Sequence, residues 1–237
     1  MWWPDTRVGD AQLRRAEQRR AEAETAVRHL LTVEPRFTPL VRLHGLERPI
    51  ITPDPFVALV GSVLQQQVSM KAAAAMYERL RARCPRRRIT PAAIHALTPA
   101  RLRAAGLSRQ KARYVRAIAD QFADGRLTAR RLRAMSDEQV VAATTEIVGV
   151  GRWTAEMLLI FCLDRADVWP VGDLGLRKAL ALFLGLPEMP REKHIENTAD
   201  AWRPYRTYAT WYLWRSLEGG VMPGVRLSKK ESDRSSA

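Results

Sequence analysis

Gly149-Val150-Gly151, followed by Arg152-Trp153 and the apolar run "TAEMLLIF" (154–161), is the stretch with the plainest capacity for chemistry. Two glycines around a valine invite a phosphate-loop reading. A P-loop, however, needs Gly-Lys-Ser/Thr after its glycines, and a dinucleotide fold needs a strand before them. Here Arg152-Trp153 follows, and the preceding "SDEQVVAATTEI" (136–147) is patterned as a helix. The unit is therefore helix, glycine hairpin, helix. Glycine permits positive φ and close backbone approach, and the first amides of the second helix have no partner inside that helix. With the helix dipole, those amides make an anion site suited to one DNA phosphate. Such a contact positions a protein on DNA without reading sequence. A β-branched side chain at Gly151 is expected to strain the turn and block that approach. The simpler alternative is a plain interhelical turn.

The elements that must position this hairpin are helical. Apolar residues recur at three and four along the chain, and strand signals are almost absent. The spacing predicts helices near 10–32, 55–67, 70–83, 91–97, 99–105, 109–124, 137–147, 152–163, 174–184, 192–202 and 205–218. Pro53 and Pro55 open one helix, and Thr90-Pro91 and Thr98-Pro99 open two more with an N-cap before a first-turn proline. Ser108 and Ser136 suit N-cap positions as well. Short connections between capped helices predict an all-α protein. "RPIITPDP" (48–55) and "DRADVWPVGD" (164–173) mark two boundaries. A central lobe, 53–169, would be inserted between 1–52 and 170–226, which pack together as a second lobe. A groove between two helical lobes is where a substrate is expected. The polar "LSKKESDRSSA" (227–237) is expected to be a frayed tail.

Composition narrows the partner. The chain has 237 residues, 46% hydrophobic, and a formal net charge of +14. The basic excess is mostly arginine, whose planar fork matches phosphate oxygens, so a polyanion is indicated. The alternative is a solvated surface, as in "RRAEQRRAEAE" (14–24), where mixed signs at helical spacing read as an exposed face. No apolar stretch approaches the roughly 18 residues that span a bilayer, and the N-terminus lacks a signal-peptide core, so a cytoplasmic protein without a membrane partner is expected. Cys84 and Cys162 lie far apart, so neither a disulfide framework nor a zinc site is indicated. His29, His44, His95 and His194 show no ligand spacing.

The hairpin, "RWTAEMLL" (152–159) and "VWPVGDLGLRKAL" (168–180) resemble the helix-hairpin-helix DNA glycosylases, and more narrowly the 3-methyladenine DNA glycosylase II, AlkA-like branch. The resemblance continues through "LVGSVLQQQVSMKAA" (59–73), "GLSRQKARYVRAIAD" (106–120) and "AWRPYRTYATWYLW" (201–214), covering about residues 50–218. It implies a two-lobed all-α fold with the active site in the cleft between lobes. Some members carry an extra N-terminal β domain, whereas residues 1–50 here read as helix and turn.

The resemblance makes Asp173 the catalytic carboxylate. From the residues alone, Asp173 could equally cap the helix "LGLRKAL". The two roles are compatible, because a helix N-terminus stabilises an anion. That anion would stabilise an oxocarbenium-like sugar as the N-glycosidic bond breaks, and orient or deprotonate water. Bifunctional relatives place a nucleophilic lysine just after the hairpin; Trp153 stands there instead, so no Schiff base and no strand incision are expected. The iron–sulfur branch needs four clustered cysteines, which this chain lacks. Bases alkylated at ring nitrogens are cationic and leave without an acid, so the enzyme chiefly flips and recognises them. Trp153 and Trp214 match family pocket positions, where electron-rich rings suit a flat cation. Met157 and Leu174 stand where other members carry tyrosines, which makes the pocket more apolar. Trp202, Tyr205, Tyr208 and Trp211, in an aromatic row at helical spacing, read as core.

By the same resemblance Gln67 fills the gap left by the flipped nucleotide and Ser69 faces the minor groove. Read without it, Gln65-Gln66-Gln67 is a polar turn that caps nothing and packs poorly. Arg109 and Lys111 at a helix start, with Gly149, Gly151 and Arg152 at the hairpin, are the expected DNA phosphate contacts. The main-chain carbonyls of Thr145, Ile147 and Val150 are implied to hold Na+ or K+; no other cofactor is implied. The partner expected is double-stranded DNA carrying alkylated bases, bound by a monomer. A non-catalytic helix-hairpin-helix DNA-binding protein needs neither Asp173 nor a Trp-lined pocket, and a bifunctional glycosylase/lyase is opposed by Trp153.

Overall fold

Many of the helices begin where the sequence places an oxygen-bearing side chain as a cap. The computed structural model describes residues 10–46, 49, 51–219, 221–222 and 225–226. In chain order come α1 (Asp10–Val33), a 3-10 turn at Pro35–Phe37, α2 (Thr38–His44), α3 (Pro55–Gln65), α4 (Met70–Arg83) and a second 3-10 turn at Pro85–Arg87. Next are α5 (Pro91–Ala96), α6 (Pro99–Ala104), α7 (Arg109–Ala123), α8 (Ala129–Ala134), α9 (Asp137–Thr145) and α10 (Arg152–Phe161). The chain continues through α11 (Leu174–Leu184), α12 (Glu192–Ile195), a 3-10 turn at Asp200–Trp202 and α13 (Arg206–Gly219). The fold is all-α, with one departure among the described residues: Val221–Met222 pairs antiparallel with Val225–Arg226 in a two-residue ladder. The expected tail, 227–237, lies outside the described residues.

From α3 to α9 every helix starts beneath a side-chain cap, from Asp54, Ser69, Thr90, Thr98, Ser108, Thr128 and Ser136 in turn. Each accepts from a first-turn amide that would otherwise lack a partner. Ser136 and Gln139 close a full capping box. Pro55, Pro91 and Pro99 sit at the first turn, where the missing N–H costs nothing.

Two helices escaped the sequence reading. The helix α8, "ARRLRA", buries only Leu132 and shows no apolar period, and α2 buries only Leu40. The run expected as one helix over 192–202 is broken, because "ENTAD" (196–200) supplies turn-forming residues between α12 and the following 3-10 turn.

The chain divides into two compact units, Pro49–Gly172 and the discontinuous unit formed by the residues before Pro49 with those from Asp173 onward. The corresponding boundaries expected from the sequence were 52/53 and 169/170. In the continuous unit α3 is the central element, packing on α4, α7 and α10 through Leu59, Val60 and Val63, which are fully buried. In the discontinuous unit α11 packs along α13. Its core gathers around Phe37, whose ring lies 4.7 Å from Phe183, 5.1 Å from Trp202 and 6.5 Å from Tyr212. Trp202 and Tyr208 are buried, as an aromatic row at helical spacing predicts, whereas Tyr205 and Trp211 are half-buried. Both cysteines are free and buried, and burial pushes the Cys162 thiol up to about 12.

Candidate active site and DNA interface

Within the continuous unit, α9 and α10 pack together and enclose the turn 146–151. The helix α10 differs from the seven before it: its N-cap is Gly151, and no side chain caps it. Its first-turn amides are thus left to partners other than a capping oxygen, which is what an anion site requires.

The two glycines are not equivalent. Gly149 has φ +89°, and a Cβ there would stand 2.0 Å from Cγ of Tyr114 on α7. Conformation and space both demand glycine. Gly151 has φ −91° and ψ 176°, ordinary extended backbone, and a Cβ there would meet nothing within 4 Å. The expectation that a side chain at Gly151 strains the turn is therefore corrected. What Gly151 permits is close approach from outside. Beside it, the Arg152 Nε donates to Oε1 of Glu156 at 3.0 Å; the guanidinium is exposed and the carboxylate buried. Trp153 is half-buried in the first turn of α10, and Met157 is buried one turn further on.

Gln67 lies in the exposed turn between α3 and α4, with φ +57°. Ser69 caps α4, its Oγ accepting from the Ala72 amide at 3.3 Å. The glutamine run is not an idle polar turn. Gln66 Nε2 donates to the Gly149 carbonyl at 3.0 Å and to Thr154 Oγ1 at 3.1 Å, tying this turn to the hairpin.

Lys111 also departs from expectation. Its ammonium donates to the carbonyls of Val63, Leu64 and Gln66 at 2.7, 2.8 and 2.8 Å, closing the C-terminus of α3. An ammonium has three N–H donors, so none remains for a DNA phosphate. Burial also lowers the Lys111 pKa. Arg109 does remain exposed at the first position of α7, where it lines a groove with Arg103, Arg113, Arg116 and Asp120 and with Pro99, Ala112 and Ala117.

In the discontinuous unit, Asp173 is the N-cap of α11: Oδ1 accepts from the Leu176 amide at 2.6 Å. The same oxygen accepts from the indole N–H of Trp214 on α13 at 2.9 Å. Two donors from two helices fix the carboxylate. Gly175 leaves room for the carboxylate: a Cβ there would lie 3.1 Å from Asp173 Oδ1, closer than side chains usually pack, and in ordinary contact with the indole at 3.6 Å. Leu174, at the first position of α11 directly after Asp173, is 64% exposed. Trp214 is half-buried. Sequence reasoning named Trp214 for its ring and missed its N–H as a partner of Asp173.

The continuous unit thus carries a helix-hairpin-helix whose second helix has no side-chain cap, and the discontinuous unit a carboxylate braced by a tryptophan. The family model for HhH-GPD superfamily base excision DNA repair proteins matches residues 60–204. This chain belongs to that superfamily. It is 33% identical over 193 residues to the DNA-3-methyladenine glycosylase 1 of Schizosaccharomyces pombe, covering 79% of this chain and 85% of the relative. Among solved structures, it is similar to the S. pombe 3-methyladenine DNA glycosylase in complex with abasic DNA, with TM-score 0.78, 33% identity, and 82% and 97% of the two chains covered. A DNA-3-methyladenine glycosidase from Bacillus halodurans superposes with TM-score 0.70 and 33% identity, over 81% of this chain and 88% of that one.

Proposed function

We propose that this protein is a monofunctional DNA glycosylase that releases alkylated purines, of the 3-methyladenine and 7-methylguanine type, and leaves an abasic site. The observation that carries the reading is Asp173, a carboxylate held on one oxygen by the α11 amide and the Trp214 indole. A capping aspartate alone needs no second donor from another helix. The bond that breaks joins C1′ of the sugar to the base nitrogen. Its electron pair leaves with the base and neutralises the ring's positive charge, so no acid is required. The electron-poor sugar that remains is stabilised by the Asp173 carboxylate, water adds at C1′, and its proton passes to the carboxylate or to solvent. Trp153 offers a ring to the flipped cationic base and supplies no amine, so the sugar is not captured covalently.

A monovalent cation at the hairpin fits the donor set. Thr145, Ile147 and Val150 would present main-chain oxygens, which suit hard cations, and the Ile147 carbonyl keeps one lone pair after accepting from the Val150 amide at 2.9 Å. The cation would neutralise phosphate charge beside the α10 amides.

The test of the enzymatic reading is Asp173→Asn. It should keep duplex affinity while excision of 7-methylguanine falls by about a thousandfold or more, the scale for loss of a preorganised charge. The wild-type protein should yield alkali-labile sites and no borohydride-trapped adduct. Trapping would establish a lyase, and undiminished excision by the variant would remove Asp173 from the reaction.

A further inference from the structure

The turn that bears Gln67 and the hairpin that bears Gly149 and Gly151 meet on one face of α7, through three contacts that the base-release chemistry does not use. Lys111 grips three carbonyls at the end of α3, Gln66 bridges to the Gly149 carbonyl and to Thr154, and Tyr114 lies flat under Gly149. Gln110 Nε2 in turn donates to the Tyr114 hydroxyl. Lys111, Tyr114 and Gln110 all belong to the first two turns of α7, downstream of the Ser108 cap.

Gln67 holds φ +57° without being glycine. A non-glycine residue in that region persists only where its surroundings over-determine it, and such strain gathers at functional sites. Helices usually end on glycine or asparagine at this kind of position, which relieves the strain at no cost in contacts. Here the turn keeps a long amide side chain and is held by outside donors instead. Lys111 donates three hydrogen bonds to carbonyls of the residues before it, and Gln66 donates two more to Gly149 and Thr154.

We propose that Gln66 and Lys111 are positioning residues that lock the Gln67 turn to the Gly149–Gly151 hairpin, so that a phosphate seated on the hairpin fixes how far Gln67 reaches into the duplex. This rests on the DNA-glycosylase reading, in which Gln67 fills the space of an extruded base. Its chemistry is a division of labour. The hairpin amides bind any duplex, whereas the side chain of Gln67 gains its contacts only where a base is missing from the stack. A lock between them converts sequence-independent docking into a preference for a vacated position.

The test measures affinity for an undamaged duplex and for the same duplex carrying a tetrahydrofuran abasic analogue, at one fixed salt concentration. Gln66→Glu keeps the shape of the side chain and removes both donors; Lys111→Met keeps the stem and removes three. Each should reduce the abasic-to-undamaged affinity ratio by about tenfold, the order expected for one broken buried hydrogen-bond set. Undamaged-duplex affinity should change less than about twofold on the same scale. In a Gln67→Ala background the Gln66→Glu effect should vanish, since nothing remains to be positioned. An equal loss on both duplexes, an unchanged ratio, or full additivity with Gln67→Ala would each overturn the lock. Melting temperatures separate these results from unfolding, and if Lys111→Met does not fold, Gln66→Glu decides alone. The binding ratio is read without excision, so absence of base release by the wild type would sink the glycosylase reading and leave the lock standing on its own data. A wild-type ratio of one would overturn the lock, and the glycosylase reading would still be decided by base release.

Discussion

The hairpin of the continuous unit and the carboxylate of the discontinuous unit are built from opposite materials. In the function we propose, the hairpin would work through main chain, by the amides at the start of α10, whose N-cap Gly151 has no side chain. The Asp173 site would work through side chain: one carboxylate oxygen accepts from an amide and an indole. The difference follows from the two tasks we propose for them. Docking on phosphates must tolerate any sequence, and backbone amides are the same at every residue. Stabilising one reacting carbon needs a single charge held at one place, and that calls for a side chain braced from two sides.

This contrast can be broken experimentally, beginning where the effect is largest. Gly149→Val should destabilise the protein by about 1–3 kcal/mol, because a β-branched residue is forced to positive φ. It must also displace the Tyr114 ring, which a Cβ would meet at 2.0 Å. Duplex affinity should fall alike on damaged and undamaged DNA, as thermal melting and titration would report; loss confined to damaged DNA would contradict a backbone-built docking site. Trp214→Phe keeps the ring and removes the N–H from Asp173. It should lower kcat by about tenfold with KM within about twofold, the scale of one hydrogen bond to a charged group felt mainly in the transition state. A rise in KM with unchanged kcat would mean that the ring binds the base and does not position the carboxylate. The smallest effect belongs to Gly151→Ala. The melting temperature should hold, since the new methyl meets nothing within 4 Å. Duplex affinity should drop by only about threefold to tenfold, as the methyl stands between backbone and phosphate.

What was legible in the sequence is what is decided locally. Thr90, Thr98, Ser108 and Ser136 act on amides three residues away, so the starts of α5, α6, α7 and α9 could be read directly, whereas α3 was read from its prolines and its Asp54 cap was not. The hairpin was legible for the same reason. The helix α8 was not, because a six-residue arginine-rich segment with one buried leucine carries no period. Gln66 and Lys111 were misread because their partners are remote: Gly149 lies 83 residues from Gln66, and Val63 lies 48 from Lys111. Nothing near either residue announces those carbonyls. The inequality of Gly149 and Gly151 was hidden likewise, since it depends on Tyr114 of a different helix. Asp173 came from family resemblance, and its local pattern declared only the cap. The Trp214 brace, 41 residues downstream, had no local signal.

The seat of Gly149 on Tyr114 has a spectroscopic consequence. With no Cβ present, an α-hydrogen of Gly149 occupies the direction in which a side chain would strike the phenol ring. Protons held over an aromatic face are shielded by its ring current, so one Gly149 α-proton should resonate well upfield of ordinary glycines. The hairpin thus carries its own magnetic label. Any tilt of the turn on docking would move that line, and DNA engagement could be followed in solution without attaching a probe.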